Sequence, residues 1–249
     1  MNIIVCVKRV PDTETRVRVG DDGVSIDPSG VKHVLSPYDE FAVEAALRLR
    51  EGAGSGEVAV VTLGDDSSQE TLRSALAMGA DRAVLLKGEV SHDGLATAKA
   101  LAAEIGEADA PLVLCGVKAA DDDQQQVGPM LATLLGRPCA TAVSSFELAD
   151  GTVRCRSEVE GGTALFELPL PAVLTITKGE YEPRYASLKG IMAAKRKPLE
   201  VKDAAASPSR LKVETMELPP ERAAGRIVGE GADAVPELVR LLREEANVL

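Results

Sequence analysis

The chain has 249 residues, of which 45% are hydrophobic, 27% charged and only 2% aromatic, with no tryptophan. That composition excludes general disorder and leaves Val, Leu, Ile and Ala to fill the core. A formal charge of −11 and an isoelectric point near 4.8 exclude a general binder of nucleic acid polymers or anionic membranes, which needs a basic footprint.

The first two thirds alternate strand-like and helix-like segments. Ile3–Val7 is a short β-branched run that predicts a buried strand. At Ser36-Pro37-Tyr38-Asp39 a helix begins, with Ser36 as cap, Pro37 at the first helical position and Asp39 completing a capping-box-like pattern. Gly52–Gly56 ends it. Val58–Leu63 is the second strand, Gln69–Met78 the second helix with Gly79 as its C-terminal cap, and Arg82–Leu86 the third strand. Asp93–Ile105 predicts an Ala-rich helix, Leu112–Cys115 a fourth strand, and Asp123–Leu135 a further helix. This βαβα order implies a parallel sheet with helices on both faces.

The rhythm changes after Gly136-Arg137-Pro138. Thr141–Leu148, Val153–Val159, Thr163–Leu168 and Ala172–Thr177 read as antiparallel strands, with tight turns at Asp150-Gly151 and Gly161-Gly162. From Lys178 the chain turns polar. Ala204–Ser209 reads as a linker, residues 190–232 as a segment too poor in core positions to fold alone, and Ala234–Asn247 as a final amphipathic helix. The expected architecture is therefore α/β: a mostly parallel twisted sheet, helices on both faces, added antiparallel hairpin strands and an extended C-terminal arm. The expected division is a nucleotide-binding domain over 1–180 and a recognition loop with C-terminal arm over 181–249.

Ligands of such sheets bind beyond the carboxyl ends of the strands. Cys6-Val7-Lys8, Leu63-Gly64 and Cys115-Gly116-Val117-Lys118 close three of the predicted strands. Gly116 allows close backbone approach to a ligand, and the loop from Val117 to Gln126 runs into a helix N-terminus, which favours an anion such as phosphate. Neither a GxGxxG nor a GxxxxGK[ST] motif is present. Asp121-Asp122-Asp123 admits two readings, a site for a hard cation or helix capping with solvated charge; three adjacent carboxylates cannot all point at one ion. The two histidines, His33 and His92, stand in no nucleophile–base pattern, so acyl transfer is disfavoured and any redox chemistry needs a cofactor.

In the polar excursion, Tyr185, Leu188, Ile191 and Met192 read as an apolar docking patch or as ordinary packing of an extended loop, and the basic cluster Lys195, Arg196 and Lys197 after them reads as solvated surface charge or as a means of steering an acidic partner. Cys6, Cys115, Cys139 and Cys155 lack zinc spacing and fit a reducing compartment. No apolar run reaches the roughly 20 residues of a membrane span. The start of the chain lacks a basic n-region. Residence in the soluble cytoplasm, without membrane insertion, is the expectation.

Several stretches together resemble the electron-transfer flavoprotein β-subunit: Val7–Asp12, Pro37–Glu44, Glu70–Arg73 with Ala75–Arg82, Gly116–Gln126, Leu170–Thr175, and Glu182–Leu188 leading to Ile191-Met192. The resemblance runs through essentially the whole chain. It implies an adenine-nucleotide α-hydrolase-like fold, a buried structural AMP, and an α-subunit partner that holds most of the FAD. It places AMP contacts on Cys6, on Ser36, Pro37, Tyr38 and Asp39, on Leu63, and on Gly116, Val117, Lys118, Ala119, Ala120, Asp121, Asp122, Asp123, Gln124, Gln125, Gln126 and Val127. The Asp triplet then belongs to a phosphate-holding loop, not a metal site. The family's partner-anchoring leucine matches Leu188.

The implied role is that of an electron carrier. Electrons from acyl-CoA dehydrogenases and related flavin dehydrogenases pass through FAD to a quinone oxidoreductase, with no side-chain catalyst on this chain. Two other readings are a bifurcating subunit with a second FAD in the AMP site, and a stand-alone nucleotide-binding protein of the universal-stress type.

Overall fold

The computed structural model describes residues 1–88, 92–221 and 224–249. Residues 222–223 of the long polar segment lie outside the described residues. The chain divides into two compact units, Met1–Thr215 and Met216–Leu249.

The first unit is built on a nine-stranded sheet. Its strands are β1 (Ile3–Cys6), β4 (Val58–Gly64), β5 (Arg82–Lys87), β6 (Leu112–Gly116), β7 (Cys139–Ala149), β8 (Thr152–Val159), β9 (Gly162–Pro169), β10 (Ala172–Ile176) and β11 (Leu199–Asp203), in the order β11-β5-β4-β1-β6-β10-β7-β8-β9. A small antiparallel pair, β2 (Arg9–Pro11) with β3 (His33–Leu35), follows β1. From β11 to β7 all pairings are parallel; β7–β8 and β8–β9 are antiparallel.

Helices α1 (Pro37–Ala53) and α2 (Ser68–Met78) cover one face of the sheet, and α3 (Gly94–Gly106) and α4 (Val127–Leu135) cover the other. The strands divide their side chains accordingly. Ile3 and Val5 pack with Ala42, Val43 and Leu47 of α1, whereas Ile4 and Cys6 pack with Leu101 and Ile105 of α3 and Leu131 of α4. Both faces being covered, β1, β4 and β6 are almost continuously buried. The α/β architecture and the helices on both faces are as the sequence implies.

One strand was expected in the wrong company. Ala172–Ile176 does not extend the antiparallel hairpins; it returns to the centre and pairs in parallel with both β6 and β7. All five of its residues are buried, a pattern that suits a strand covered on two faces. By contrast β8 and β9 alternate or lie open, and β9 forms a free edge carrying exposed Leu165 and Phe166. The β7–β8 turn falls at Asp150 and Gly151, with φ of 50° and 78°, as a two-residue primed turn requires. The next turn sits one residue earlier than expected, at Glu160-Gly161, because Gly162 already pairs with Val159.

Two further differences concern helix starts. The α4 helix begins at Val127, not Asp123: Asp123 and Gln125 have φ of 50° and 57° and belong to the loop. At α1, Pro37 does open the helix, but Ser36 does not cap it; its hydroxyl is buried and has no hydrogen-bond partner among the described residues. The Asp39 carboxylate is taken by other amides, described below.

The short strands β2, β3 and β11 and the helix α5 (Leu188–Ala194) were not expected. β11 adds to the edge of the sheet beside β5, within the stretch read as too poor in core positions to fold alone. The second unit contains α6 (Val235–Glu244), slightly shorter than expected, with Arg240 bridging Glu237 and Glu244 and Arg226 pairing with Glu245. Among the described residues, no helix is long and apolar enough to cross a membrane.

Candidate functional site

The chain order reverses between β4-β1 and β1-β6, and at such a switch point the carboxyl strand ends diverge to leave a crevice. A cleft opens there. Its floor is made by Cys6 and Cys115, register partners at the ends of β1 and β6. Leu63 of β4 and Gly94, Thr97 and Leu101 of α3 form one wall; the loop from Val117 to Gln126 and the start of α4 form the other.

Asp39 organises the floor. It is buried, and its carboxylate accepts hydrogen bonds from Lys8 N at 2.7 Å and Gly116 N at 3.0 Å. One side chain of α1 thus joins the residues just past β1 and at the end of β6. Burial pushes the Asp39 carboxyl up to about 7, while the Lys8 and Gly116 amides oppose that rise. Gly116 is required by this arrangement, since a Cβ there would run into the Asp39 carboxylate and lie 2.8 Å from the Tyr38 carbonyl carbon. The close approach anticipated at Gly116 is thus made by α1 of the same chain.

The loop is fastened by charge. Lys8 Nζ reaches Asp121 and Asp122, each at 2.8 Å, and Lys118 Nζ reaches Asp123 at 2.6 Å. Burial draws the Lys8 ammonium down, but the two carboxylates outweigh it and hold it above its ordinary value. Lys118 also lies 5.4 Å from the centre of the Tyr38 ring, within cation–π range. Gln124 donates through Nε2 to His92 O at 3.0 Å, tying the loop to the start of α3. The Asp triplet is therefore occupied by two lysines: Asp121 and Asp122 converge on Lys8, and Asp123 turns to Lys118.

Among the described residues, no side chain caps α4. Its third residue is Pro129, which has no N–H, so Val127 and Gly128 carry the first-turn donors, and both residues line the cleft. Gly128 is needed for the seat of the helix, since a Cβ there would strike Thr175 Cγ2 of β10. The cleft thus combines a mostly apolar exposed surface with the backbone amides at the start of α4.

A second feature lies on the other side of the unit. Tyr185 and Leu188 are 99% and 84% exposed, and Ile191 and Met192 are also exposed. All four cluster on or just before α5. The base of that helix is fixed to α2: Arg73 donates to Ala194 O and Lys197 O at 2.6 and 2.8 Å, and Lys197 Nζ donates to Leu76 O and Ala80 O at 3.0 and 2.6 Å.

A family model described as the electron transfer flavoprotein domain matches residues 24–207. The chain is 42% identical over 249 residues, all of both chains, to the electron transfer flavoprotein subunit beta of Bradyrhizobium diazoefficiens. It is 41% identical over 225 residues to the corresponding subunit of Syntrophomonas wolfei (90% of this chain, 88% of the relative). To that of Bos taurus it is 39% identical over 251 residues, 98% of each chain. This chain belongs to the electron-transfer flavoprotein β-subunit family. The role of a β-subunit in flavin-associated electron transfer, with an α-subunit partner, comes with that membership.

In this β-subunit, the residues marked out by sequence separate into two sets. Cys6, Asp39, Leu63, Gly116, Val117, Lys118, Ala119, Asp122, Gln124, Gln125, Gln126 and Val127 line the cleft. Ser36, Pro37, Tyr38, Ala120, Asp121 and Asp123 stand behind that lining, Asp121 and Asp123 as partners of Lys8 and Lys118. The α3 contribution of Gly94, Thr97 and Leu101 was missed. Its only signal was the Asp93-Gly94 helix start, where Asp93 accepts from Leu95 N and Ala96 N at 2.9 and 3.1 Å. In the basic cluster, Lys195 and Arg196 are exposed, but Lys197 is turned inward onto α2 carbonyls, where a cation complements the helix dipole.

Proposed function

We propose that this chain binds AMP in the cleft beyond β1, β4 and β6. With the α-subunit it would complete a heterodimer that carries electrons from acyl-CoA-type dehydrogenases to a quinone-linked acceptor. The observation that carries the nucleotide half is the start of α4, which no side chain caps among the described residues, in the wall of a cleft whose exposed surface is mostly apolar. The fit is reasonable on chemistry. Leu63, Leu101, Cys6 and Cys115 suit the faces of a base, and the Val127 and Gly128 amides suit a phosphate. Lys8, held by Asp121 and Asp122, fixes the loop and does not act as a free phosphate ligand.

FAD, held mainly by the α-subunit, would supply the electron transfer itself. The residues of this chain bind, orient and present. The segment from residue 181 onward would pack on the α-subunit, and Tyr185, Leu188, Ile191 and Met192 would form the docking surface for dehydrogenases, with Lys195 and Arg196 beside it. The proposed compartment is a reducing cytoplasm, in which the four cysteines would stay as thiols.

The test is the nucleotide carried by the purified protein, released by acid and identified by mass. AMP is the expected result. FAD from this subunit would replace the carrier reading with a bifurcating one. No adenine nucleotide, together with no thermal shift on adding AMP, would overturn the site.

A further inference from the structure

The apolar patch around α5 stands clear of the protein, yet the chain leading into it is fastened from two sides. On one side lies β7. Thr177 N and Glu180 N donate to Val143 O and Ser144 O at 3.0 and 3.1 Å, and the Tyr181 hydroxyl donates to Phe146 O while accepting from Phe146 N. On the other side lies α1. Arg48 donates to Glu180 O and Glu182 O at 3.1 and 3.3 Å, and the Arg184 guanidinium reaches Glu44 and Glu51, each at 2.7 Å. Residues 180, 182 and 184 therefore present one edge of an extended chain to α1, at the period of two that such a chain has.

Glu44 is the centre of this grip. It is 2% exposed and accepts from Arg184 and from Arg48, four residues along the same helix. Burial pushes its carboxyl up, but the two guanidinium groups outweigh burial and hold it below its ordinary value. A buried ion pair of this kind is weak as a source of stability, because apolar residues of the same volume hold a fold at least as well. What it supplies is direction. The fork of Arg184 meets two carboxylates in a fixed geometry. The very next residue, Tyr185, is free in solvent, and Leu188 follows within one turn of chain.

We propose that Glu44 and Arg184 are positioning residues for docking, setting where Tyr185 and Leu188 stand when a dehydrogenase arrives. This rests on the docking reading given above.

The experiment uses the flavin-loaded heterodimer, reduced by a flavin-dependent acyl-CoA dehydrogenase, with KM for the carrier and kcat measured separately. Replacing both partners, Glu44→Gln with Arg184→Gln, avoids leaving one buried charge alone. The expected result is a KM about five- to tenfold higher at unchanged kcat, the signature of lost ground-state binding. Arg184→Lys keeps the charge without the fork and should recover only part of that loss. Amide exchange over residues 180–188 should quicken in the double variant, with flavin content unchanged.

Leu188→Ala serves as the reference. If it raises KM and the double variant does not, the positioning role is overturned and docking stands. If Leu188→Ala leaves KM unchanged, the docking reading falls, and this inference with it. Should the double variant fail to assemble, Arg184→Gln alone carries the same readout, because Glu44 keeps Arg48 as a partner.

Discussion

Asp39 Oδ1 accepts the amide of Gly116 at 3.0 Å, at a place where any Cβ on residue 116 would collide with that same carboxylate. The start of α1 and the end of β6 are thus joined by one acid and by the absence of one methyl group. Gly116→Ala should force α1 away from the strand end and destabilise the protein by about 1–3 kcal/mol, the usual range for overpacking. Denaturant unfolding of the two proteins checks this, and nucleotide binding should weaken in parallel.

The same acid makes stability depend on pH. With its carboxyl pushed up to about 7 in the folded chain and near 4 when unfolded, Asp39 keeps its proton in the native state across that interval. The native state then binds more protons than the unfolded one. Its contribution to stability is complete below about pH 4, falls as pH rises toward 7, and is flat above. Asp39→Asn should remove a slope approaching 1.4 kcal/mol per pH unit from the difference between the two proteins. Unfolding curves at pH 4.5 to 8 would reveal it; identical slopes would refute it.

Lys8 bridges Asp121 and Asp122 across more than a hundred residues of sequence. Lys8→Met keeps the stem and removes the ammonium, leaving two neighbouring carboxylates unopposed. The loop between residues 117 and 126 should be cut faster by proteases in the variant, and AMP should protect it less well than it protects the parent protein.

Lys197→Met should behave differently. Its ammonium satisfies two carbonyls, Leu76 O and Ala80 O, at and just beyond the end of α2. Losing it should cost about 1–2 kcal/mol of stability, seen as a lower melting temperature, with α5 loosened from α2. Lys195→Met, at an exposed position, should change stability by less than about 0.5 kcal/mol.

Leu188→Ala separates docking from folding. The side chain is 84% exposed, so its removal should leave stability within about 0.5 kcal/mol and nucleotide content intact. Reduction by a cognate dehydrogenase should slow at limiting carrier concentration, and unchanged kinetics would refute the assignment.

Much of this arrangement could be read from sequence because it rests on local signals. The runs at Ile3, Val58 and Leu112 are buried strands with few alternatives, and the positions just after them form the floor and rim of the cleft. What escaped depends on contacts distant in sequence. Ala172–Ile176 follows three hairpin strands and looks like a fourth; only its burial between β6 and β7 sets it apart. β11 is a mixture of charged and apolar residues whose strand character comes from the edge of β5. Asp39 fits a capping box by spacing, but a carboxylate beside two strand-end amides has a better use. Lys197 looked like surface charge because sequence carries no record of the carbonyls it would meet.

The free edge at β9 bears on how the chain behaves before it finds its partner. Eight residues of strand end the sheet, most of them exposed, and Leu165 and Phe166 sit among them. Among the described residues, no strand pairs with the outer row of amides and carbonyls. A newly made subunit therefore carries a template on which another copy could add strand to strand. Synthesis in step with the α-subunit would shorten the time that this ribbon spends uncovered, so the ratio in which the two chains are made becomes a matter of solubility as well as of stoichiometry.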